Sequence, residues 1–187
     1  MDSKELGHIY STHPGVDALV RLAQEHKIGK SIIGGLSGSA SAMCLAGLKS
    51  RIPYQSLLVI MNDSEEAGYF YHDLVQACGE DNILFYPSSF RRAIKYGHED
   101  EANRILRTEV LSRLIDGQRK EGLIVVSHPD AISEKVVSQS DLEQKSISIA
   151  IGDCIERSTL ETELAKLKFK EVTYVYEPGE FAVRGSL

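Results

Sequence analysis

A run of glycines and small hydroxyl side chains near residue 35 is the part of this sequence that most resembles a phosphate-binding loop. A working loop of that type reads G-x-x-x-x-G-K-[ST]: its backbone N–H groups and lysine contact phosphate, and its last hydroxyl holds magnesium. The seven aligned residues of the vestigial loop are Gly35, Ser37, Gly38, Ser39, Ala40, Ser41 and Ala42. Alanine, serine and alanine thus replace the final glycine, the lysine and the Ser/Thr, so we predict no useful ATP affinity. A glycine-rich turn that binds nothing accounts for the pattern about equally well.

Metal and disulfide chemistry are not favoured by the remaining candidate residues. The three cysteines, Cys44, Cys78 and Cys154, are odd in number and far apart, which is typical of packed thiols in a reducing cytoplasm. The six histidines form no pair with metal-ligand spacing. We therefore expect no metal site and a cytoplasmic protein.

Composition and charge argue against nucleic acid and membranes as partners. The 187 residues carry a net charge of −6, so a broad electrostatic attraction to nucleic acid or to an anionic membrane is not expected. No apolar run is long enough to span a membrane, and the first residues lack the features of a signal peptide. We expect a globular protein without a membrane partner.

Strands and helices alternate along the chain as far as about residue 130. We predict buried strands at residues 31–33, 56–61, 82–86 and 123–126, the second covered on both faces. Amphipathic stripes predict helices between them, with Asp63 as one N-cap. Such alternation is typical of an α/β fold with a parallel sheet, flanking helices and ligands at the carboxyl ends of the strands, where the vestigial loop lies.

The pattern changes after residue 130, which divides the chain into domains 1–130 and 131–187. Residues 146–151 alternate with period two, as in a strand with one solvated face. Ser158 and Glu161 have the spacing of a capping box, and residues 172–176 alternate again. A turn at Pro178-Gly179 then leads into a return strand from Phe181. We predict a small α+β lobe.

Three motifs together resemble the N-terminal, UvrB-like module of the bacterial transcription-repair coupling factors (Mfd). They are the loop Gly35–Ala42, the helix Glu101–Leu114 with the strand that follows it, and the run Glu177–Gly185. The resemblance covers the chain from about residue 14 to its end. It implies a helicase-like domain with a degenerate P-loop, related to UvrB domain 1, followed by a truncated lobe related to UvrB domain 2.

The family's function is what the resemblance implies for this chain. It implies a non-catalytic fragment without a cofactor, which binds UvrA and so recruits nucleotide excision repair to RNA polymerase stalled at DNA lesions. In the family, binding to RNA polymerase and ATP- and magnesium-dependent translocation on double-stranded DNA belong to later domains.

Four residues are implied to contact UvrA. The family pattern F-R-V-R-G reads here Phe181-Ala182-Val183-Arg184-Gly185, with one arginine missing. For Arg184 we favour a role as multidentate partner for a carboxylate, by about two to one, over a role in capping the sheet. Phe181 is either an apolar anchor or a core residue, which we rate equally. Lys170 and Glu171 lie near the position of another basic contact of the family.

Two other functions stay open at this point. An atypical P-loop nucleotide hydrolase would need acidic metal ligands, for which Asp63 and Asp130 are the candidates. A nucleic-acid-binding domain would use Arg91, Arg92 and Lys95, although a solvated loop is the commoner explanation of so short a basic cluster. Finally, the last strand of the truncated lobe presents an open edge, which predicts self-association or a mobile tail.

Overall fold

A parallel sheet with helices on both faces forms the first of two units, Met1–Lys135 and Val136–Leu187, that make up this computed structural model. The structure describes residues 7, 9–25, 29–90, 100–115, 120–177 and 179–185. Arg91, Arg92, Lys95 and Pro178 lie outside the described residues. None of the described helices combines the length and the apolar character needed to cross a membrane.

The first unit contains five helices and three strands among its described residues. Its elements are α1 (Pro14–Gln24), α2 (Ala40–Arg51), β1 (Leu57–Ile60), α3 (Ser64–Cys78), β2 (Ile83–Tyr86), α4 (Glu101–Ile115), β3 (Ile124–Ser127) and α5 (Pro129–Ser133). The strand order is β1-β3-β2, and both pairs are parallel, with Leu57 and Ile83 each beside Ile124. The predicted α/β class and three of the four predicted strands are confirmed.

Helices pack on both faces of the sheet. On one face, Ala42 of α2 and Leu74 of α3 pack with Ile124 and Val126. On the other, Val110 of α4 packs with Val125 and with Ala131 of α5. Helix α1 packs on α2 through Val16 and Val20. Because Ala131 is fully buried in this core, α5 belongs to the first unit, which extends five residues beyond the boundary drawn at residue 130.

The strand predicted at Ser31–Ile33 is absent from the structure, so that prediction is wrong. Residues 31–34 have no regular secondary structure, and Ile32 is 99% exposed. A strand is stable only when its N–H and C=O groups pair with a neighbour. No described strand pairs with these residues, so the apolar run alone does not make a strand.

Strand β1 is buried on one face only, contrary to the prediction that both faces are covered. Leu58 is 59% exposed and Ile60 is 51% exposed, while Leu57 and Val59 pack against the core. The cluster around Val110 takes in residues of β2 and β3 but none of β1. The edge strand is therefore left uncovered on the α4 side of the sheet.

The described residues of the second unit form two short helices and two very short strands. They are α6 (Gln139–Gln144), α7 (Arg157–Lys166), β4 (Lys170–Glu171) and β5 (Glu180–Phe181). No described residue of this unit is fully buried. The unit therefore has little core of its own.

Four predictions for the second unit are wrong. Residues 146–151 form no strand, again because no described strand pairs with them. The strand expected at residues 172–176 is absent too, since β4 ends at Glu171. Helix α7 begins at Arg157, which places Ser158 inside its first turn, where it cannot be the N-cap, and Arg157 pairs with Glu161 at 2.6 Å instead. Strand β5 runs parallel to β4 rather than returning beside it, with Lys170 opposite Glu180.

Candidate functional site

The vestigial loop lies at the amino end of α2 and has the glycine conformations of a tight turn. Gly35 has φ +82° and Gly38 has φ +54°, a region that favours glycine because it has no Cβ. Ser37 accepts a hydrogen bond from the N–H of Ala40 at 3.1 Å. The loop enters α2 as predicted, but no strand precedes it among the residues that the structure describes.

The side chains at the three replaced positions, residues 40–42, supply none of the groups with which a working loop binds phosphate and magnesium. Ala40 is the first residue of α2, and Ala42 is fully buried in the core against the sheet. Ser41 donates through Oγ to the carbonyl oxygen of Gly38 at 3.4 Å, and Ser39 makes no side-chain capping bond. The loop thus offers backbone N–H groups but carries no charge from these residues.

The carboxyl ends of β2 and β3 hold a buried ionic cluster that the sequence analysis did not single out. Arg107 Nη1 donates to the carbonyl oxygens of Pro87 at 2.8 Å and Ala131 at 3.0 Å, and lies 3.4 Å from a carboxylate oxygen of Glu134. The guanidinium carbon lies 4.2 Å from the ring centroid of Tyr86. The sequence did hint at the burial of Arg107, because this residue lies one turn before Val110 on the same face of the helix.

Hydrogen bonds of this cluster join the segment that follows β2 to Glu134, the residue that follows α5. The Glu134 carboxylate accepts a bond of 2.5 Å from the Ser88 hydroxyl and one of 2.9 Å from the N–H of Ser89. Burial raises the pKa of the Tyr86 phenol, and the neighbouring Arg107 opposes that rise. The charges of Arg107 and Glu134 thus have partners inside the cluster, which indicates a structural role for these two residues.

The candidate acidic metal ligands are not brought together. Asp63 caps α3, as predicted, by accepting from the N–H groups of Glu65 and Glu66, each at 2.9 Å. Asp130 lies in the first turn of α5. Within the described ranges, no three His, Cys, Asp or Glu side chains are grouped so that they could hold a metal ion.

The four residues implied in UvrA binding, here called the docking surface, lie on and just after the β4–β5 pair. Glu171 is directly beside Phe181, which is half-buried, whereas Lys170, Glu171 and Arg184 are exposed. Glu171 and Arg184 also line one cavity of about 480 Å³, together with Val172, Thr173, Tyr174 and Val183. The structure therefore brings Lys170, Glu171 and Phe181 onto one small sheet, and Arg184 follows three residues after the end of β5.

Tyr174 is the member of this surface that the sequence analysis missed. The guanidinium carbon of Arg184 lies 4.9 Å from the centroid of its ring, within the range of a cation–π contact. The ring of Tyr176 lies 6.4 Å from that of Tyr174. The alternation of Val172, Tyr174 and Tyr176 predicted a strand, which the structure does not form there, but Arg184 does pack on one of these alternating aromatic side chains.

Glu180 fixes the turn that leads into the docking surface. Its carboxylate accepts bonds from the N–H groups of Tyr176 at 3.0 Å and Glu177 at 3.2 Å. These bonds, with a smaller contribution from Lys170, lower the pKa of the Glu180 carboxyl. Ionised Glu180 thus holds the chain in the turn from which β5 begins.

No protein-family profile matches this chain. Over 158 residues, or 84% of this chain, the sequence is 25% identical to the transcription-repair-coupling factor of Bacillus subtilis (strain 168). The aligned stretch is 13% of that protein's length. The chain is thus distantly similar to part of a coupling factor, which agrees with the resemblance drawn from its motifs.

Proposed function

We propose that this chain is a non-catalytic docking module that binds UvrA through the docking surface. Its distant similarity to a transcription-repair-coupling factor supports a role in DNA repair. The chain would then recruit nucleotide excision repair to RNA polymerase stalled at a lesion. Contacts with the polymerase, ATP-driven translocation and binding to double-stranded DNA would belong to other parts of a longer protein.

The stacking of Arg184 on Tyr174 is the observation that carries the proposal. The ring supports the guanidinium from one side, and among the described residues no carboxylate pairs with it. A planar guanidinium held in this way keeps its N–H groups for bidentate bonds to an incoming carboxylate. Arginine and tyrosine are also the residue types that most often dominate binding energy in protein interfaces.

The other members of the docking surface give it both apolar and charged groups. Phe181 is half-buried, so part of its ring is available as an apolar anchor. Lys170 and Glu171 present opposite charges on adjacent residues of β4. Such a surface suits a partner with an acidic side chain for Arg184 and an apolar side chain for Phe181, aligned by charge complementarity.

The absence of catalysis is part of the proposal and is supported by the vestigial loop. Ala42 occupies the position of the magnesium-binding hydroxyl, and its methyl group lies in the core. Ser41 occupies the lysine position and bonds to its own loop. We accordingly propose that this chain uses neither ATP nor magnesium.

Calorimetric titration of UvrA into this chain tests the docking function. Replacement of Arg184 by alanine should weaken binding by roughly 1–3 kcal/mol, the loss of one charge-assisted contact at an interface. Arg184→Lys keeps the charge but loses the planar fork, so it should recover only part of that loss. Arg157→Ala, which breaks an exposed pair with Glu161 in the same unit, is the matched control and should bind like the parent.

Two results would overturn the proposal. One is no heat of binding by a chain whose circular dichroism shows it to be folded. The other is equal binding by the parent, Arg184→Ala and Arg157→Ala, which would mean that UvrA binds elsewhere on the chain.

A further inference from the structure

Strand β1 is an edge strand whose outer side is open. The strand order places β3 on one side of β1, and no described strand lies on the other. Each residue of β1 has a partner on β3, so the strand is extended along its whole length. The N–H groups of Leu57 and Met61 donate to carbonyl oxygens on the β3 side, at 2.7 Å and 2.9 Å. Because backbone groups alternate in direction along a strand, those of Leu58 and Ile60 point to the open side.

Leu58 and Ile60 expose their side chains as well as this backbone edge. The two side chains are 59% and 51% exposed, on the face of the sheet that α4 covers over β2 and β3 only. Their N–H groups bond to no described residue. Exposed edges are usually protected by lysine, proline or a bulge, but residues 57–61 contain neither lysine nor proline and pair regularly with β3. This edge therefore suits pairing with another strand.

A second copy of β1 fits this edge in an antiparallel register centred on Val59. Leu58 then lies opposite Ile60 of the second copy, and Ile60 lies opposite Leu58 of that copy. Since the N–H and C=O groups of these residues point outward, each of the pairs exchanges two hydrogen bonds. Val59 lies opposite Val59 of the second copy without a hydrogen bond, because its backbone groups point toward β3.

The side chains also match in this register. On the uncovered face, leucine meets isoleucine in both pairs, and on the other face Leu57 meets Met61 of the second copy. No like charges are brought together, and every cross-strand pair is aliphatic or contains methionine. A two-fold interface needs such self-complementarity, because the same patch must serve both sides. Strand β1 meets that requirement, which argues for a second copy as its partner.

We propose that β1 pairs with β1 of a second copy of this chain, centred on Val59, so that the two sheets become one continuous sheet. This interface belongs to the first unit and does not depend on the docking surface. It also differs from self-association through the strand at Phe181. Each copy contributes only two half-exposed side chains, so the buried area falls well below the roughly 1,600 Å² of a standard interface. The dimer is therefore weak and depends on concentration.

Sedimentation velocity of the whole chain between roughly 10 µM and 1 mM, the range in which a weak dimer forms, tests this interface. The double replacement Leu58→Lys and Ile60→Lys puts like charges opposite each other and should raise the dissociation constant by about tenfold or more. Ile32→Lys with Ile33→Lys is the matched control. It adds the same charges at exposed isoleucines outside any element and should leave the constant unchanged.

A second double variant tests the register. In Leu58→Lys with Ile60→Glu, each lysine faces a glutamate of the other copy if the pair is centred on Val59. This variant should therefore dimerise more tightly than the variant with two lysines. In a register that places residue 58 opposite residue 58, lysine would face lysine and the variant would recover nothing.

Hydrogen exchange of the parent chain locates the contact without any substitution. Exchange at the amides of Leu58 and Ile60 should slow as the protein concentration rises, because pairing gives these N–H groups acceptors. The amides of Leu57 and Met61 are the internal control, since they already donate to the β3 side within one chain. Their exchange should not depend on concentration.

Four outcomes exclude this interface. The first is a parent chain that stays monomeric throughout the concentration range. The second is a dimer that withstands the two lysines, which would place the contact elsewhere on the chain. The third is a Lys–Glu variant that associates no more than the Lys–Lys variant. The fourth, which needs no variant to fold, is a dimer in which the Leu58 and Ile60 amides exchange as fast as in the monomer.

Discussion

The ammonium of Lys49 donates a hydrogen bond of 2.8 Å to the carbonyl oxygen of Gly122, which lies 73 residues further along the chain. The same Nζ donates to the carbonyl oxygens of Pro53 at 2.6 Å and Gln55 at 3.0 Å. All three N–H groups are thus used, and Lys49 is only 8% exposed. One side chain joins the end of α2 to the segments that enter β1 and β3.

Replacement of Lys49 by methionine should therefore destabilise the chain although it removes a buried charge. Methionine keeps the apolar stem but removes the Lys49 donor from all three carbonyl oxygens, of which that of Pro53 still accepts from the N–H of Gly122 at 2.9 Å. The expected cost is about 2–4 kcal/mol in the free energy of unfolding. Urea denaturation followed by circular dichroism measures the change. Lys166→Met, at an exposed lysine paired with Glu163, is the control and should alter stability by less than about 0.5 kcal/mol. Equal effects at the two lysines would contradict this role for Lys49.

Local signals in the sequence predicted those features whose partners lie close along the chain. Asp63 caps α3 because the N–H groups that it accepts are two and three residues away. Helix α3 ends at Cys78 because Gly79, with φ +87°, is a residue that leaves the helix easily. These bonds form within one turn, so neighbouring residue types suffice to predict them.

Features that depend on distant partners were missed for the same reason. Ser31–Ile33 has a strand's composition, but composition does not say whether a neighbouring strand exists. In the sequence, Lys49 looks like an ordinary lysine in the last turn of a helix, because its bond to the distant Gly122 forms only in the folded chain. Arg184 was predicted to be in the docking surface, whereas its support by Tyr174 depends on how the nine residues between them fold.

Rebuilding the vestigial loop should not create a nucleotide site. The change Ala40→Gly with Ser41→Lys and Ala42→Thr restores the motif, but residue 42 points into a filled core, so its hydroxyl cannot reach a bound metal ion. Overpacking at that position should also lower stability by about 1–3 kcal/mol. Equilibrium dialysis with labelled ATP and magnesium, together with thermal melting, measures both effects. Micromolar binding by the parent chain or by the rebuilt loop would contradict the expectation.

The turn before β5 should loosen as the solution is acidified. The lowered pKa of Glu180 means that the folded chain favours its carboxylate more than the unfolded chain does. Its contribution is therefore complete above the ordinary glutamate pKa of about 4.3 and is lost as the pH falls through the lower folded value. In an NMR titration, the amide signals of Tyr176 and Glu177 should shift together with the Glu180 carboxyl. Glu180→Gln should abolish that transition, whereas Glu177→Gln, the control, should retain it.

Gly122, just before β3, lies very close to the segment before β1, whereas Gly68 lies in open space. Replacement by alanine should therefore have opposite effects on stability at these two glycines. A Cβ on Gly122 would lie 2.2 Å from the carbonyl carbon and oxygen of Gln55, whereas one on Gly68, inside α3, would meet nothing within 4 Å. Backbone at Gln55 cannot simply rotate away, because its carbonyl oxygen is bonded to Lys49. Gly122→Ala should therefore destabilise the chain by about 2–4 kcal/mol, in the range of severe steric substitutions. Gly68→Ala should instead stabilise it by roughly 0.5–1 kcal/mol, the helix preference for alanine. Thermal unfolding of the two variants beside the parent decides this, and a Gly122→Ala chain as stable as the parent would mean that the two segments do not pack this closely.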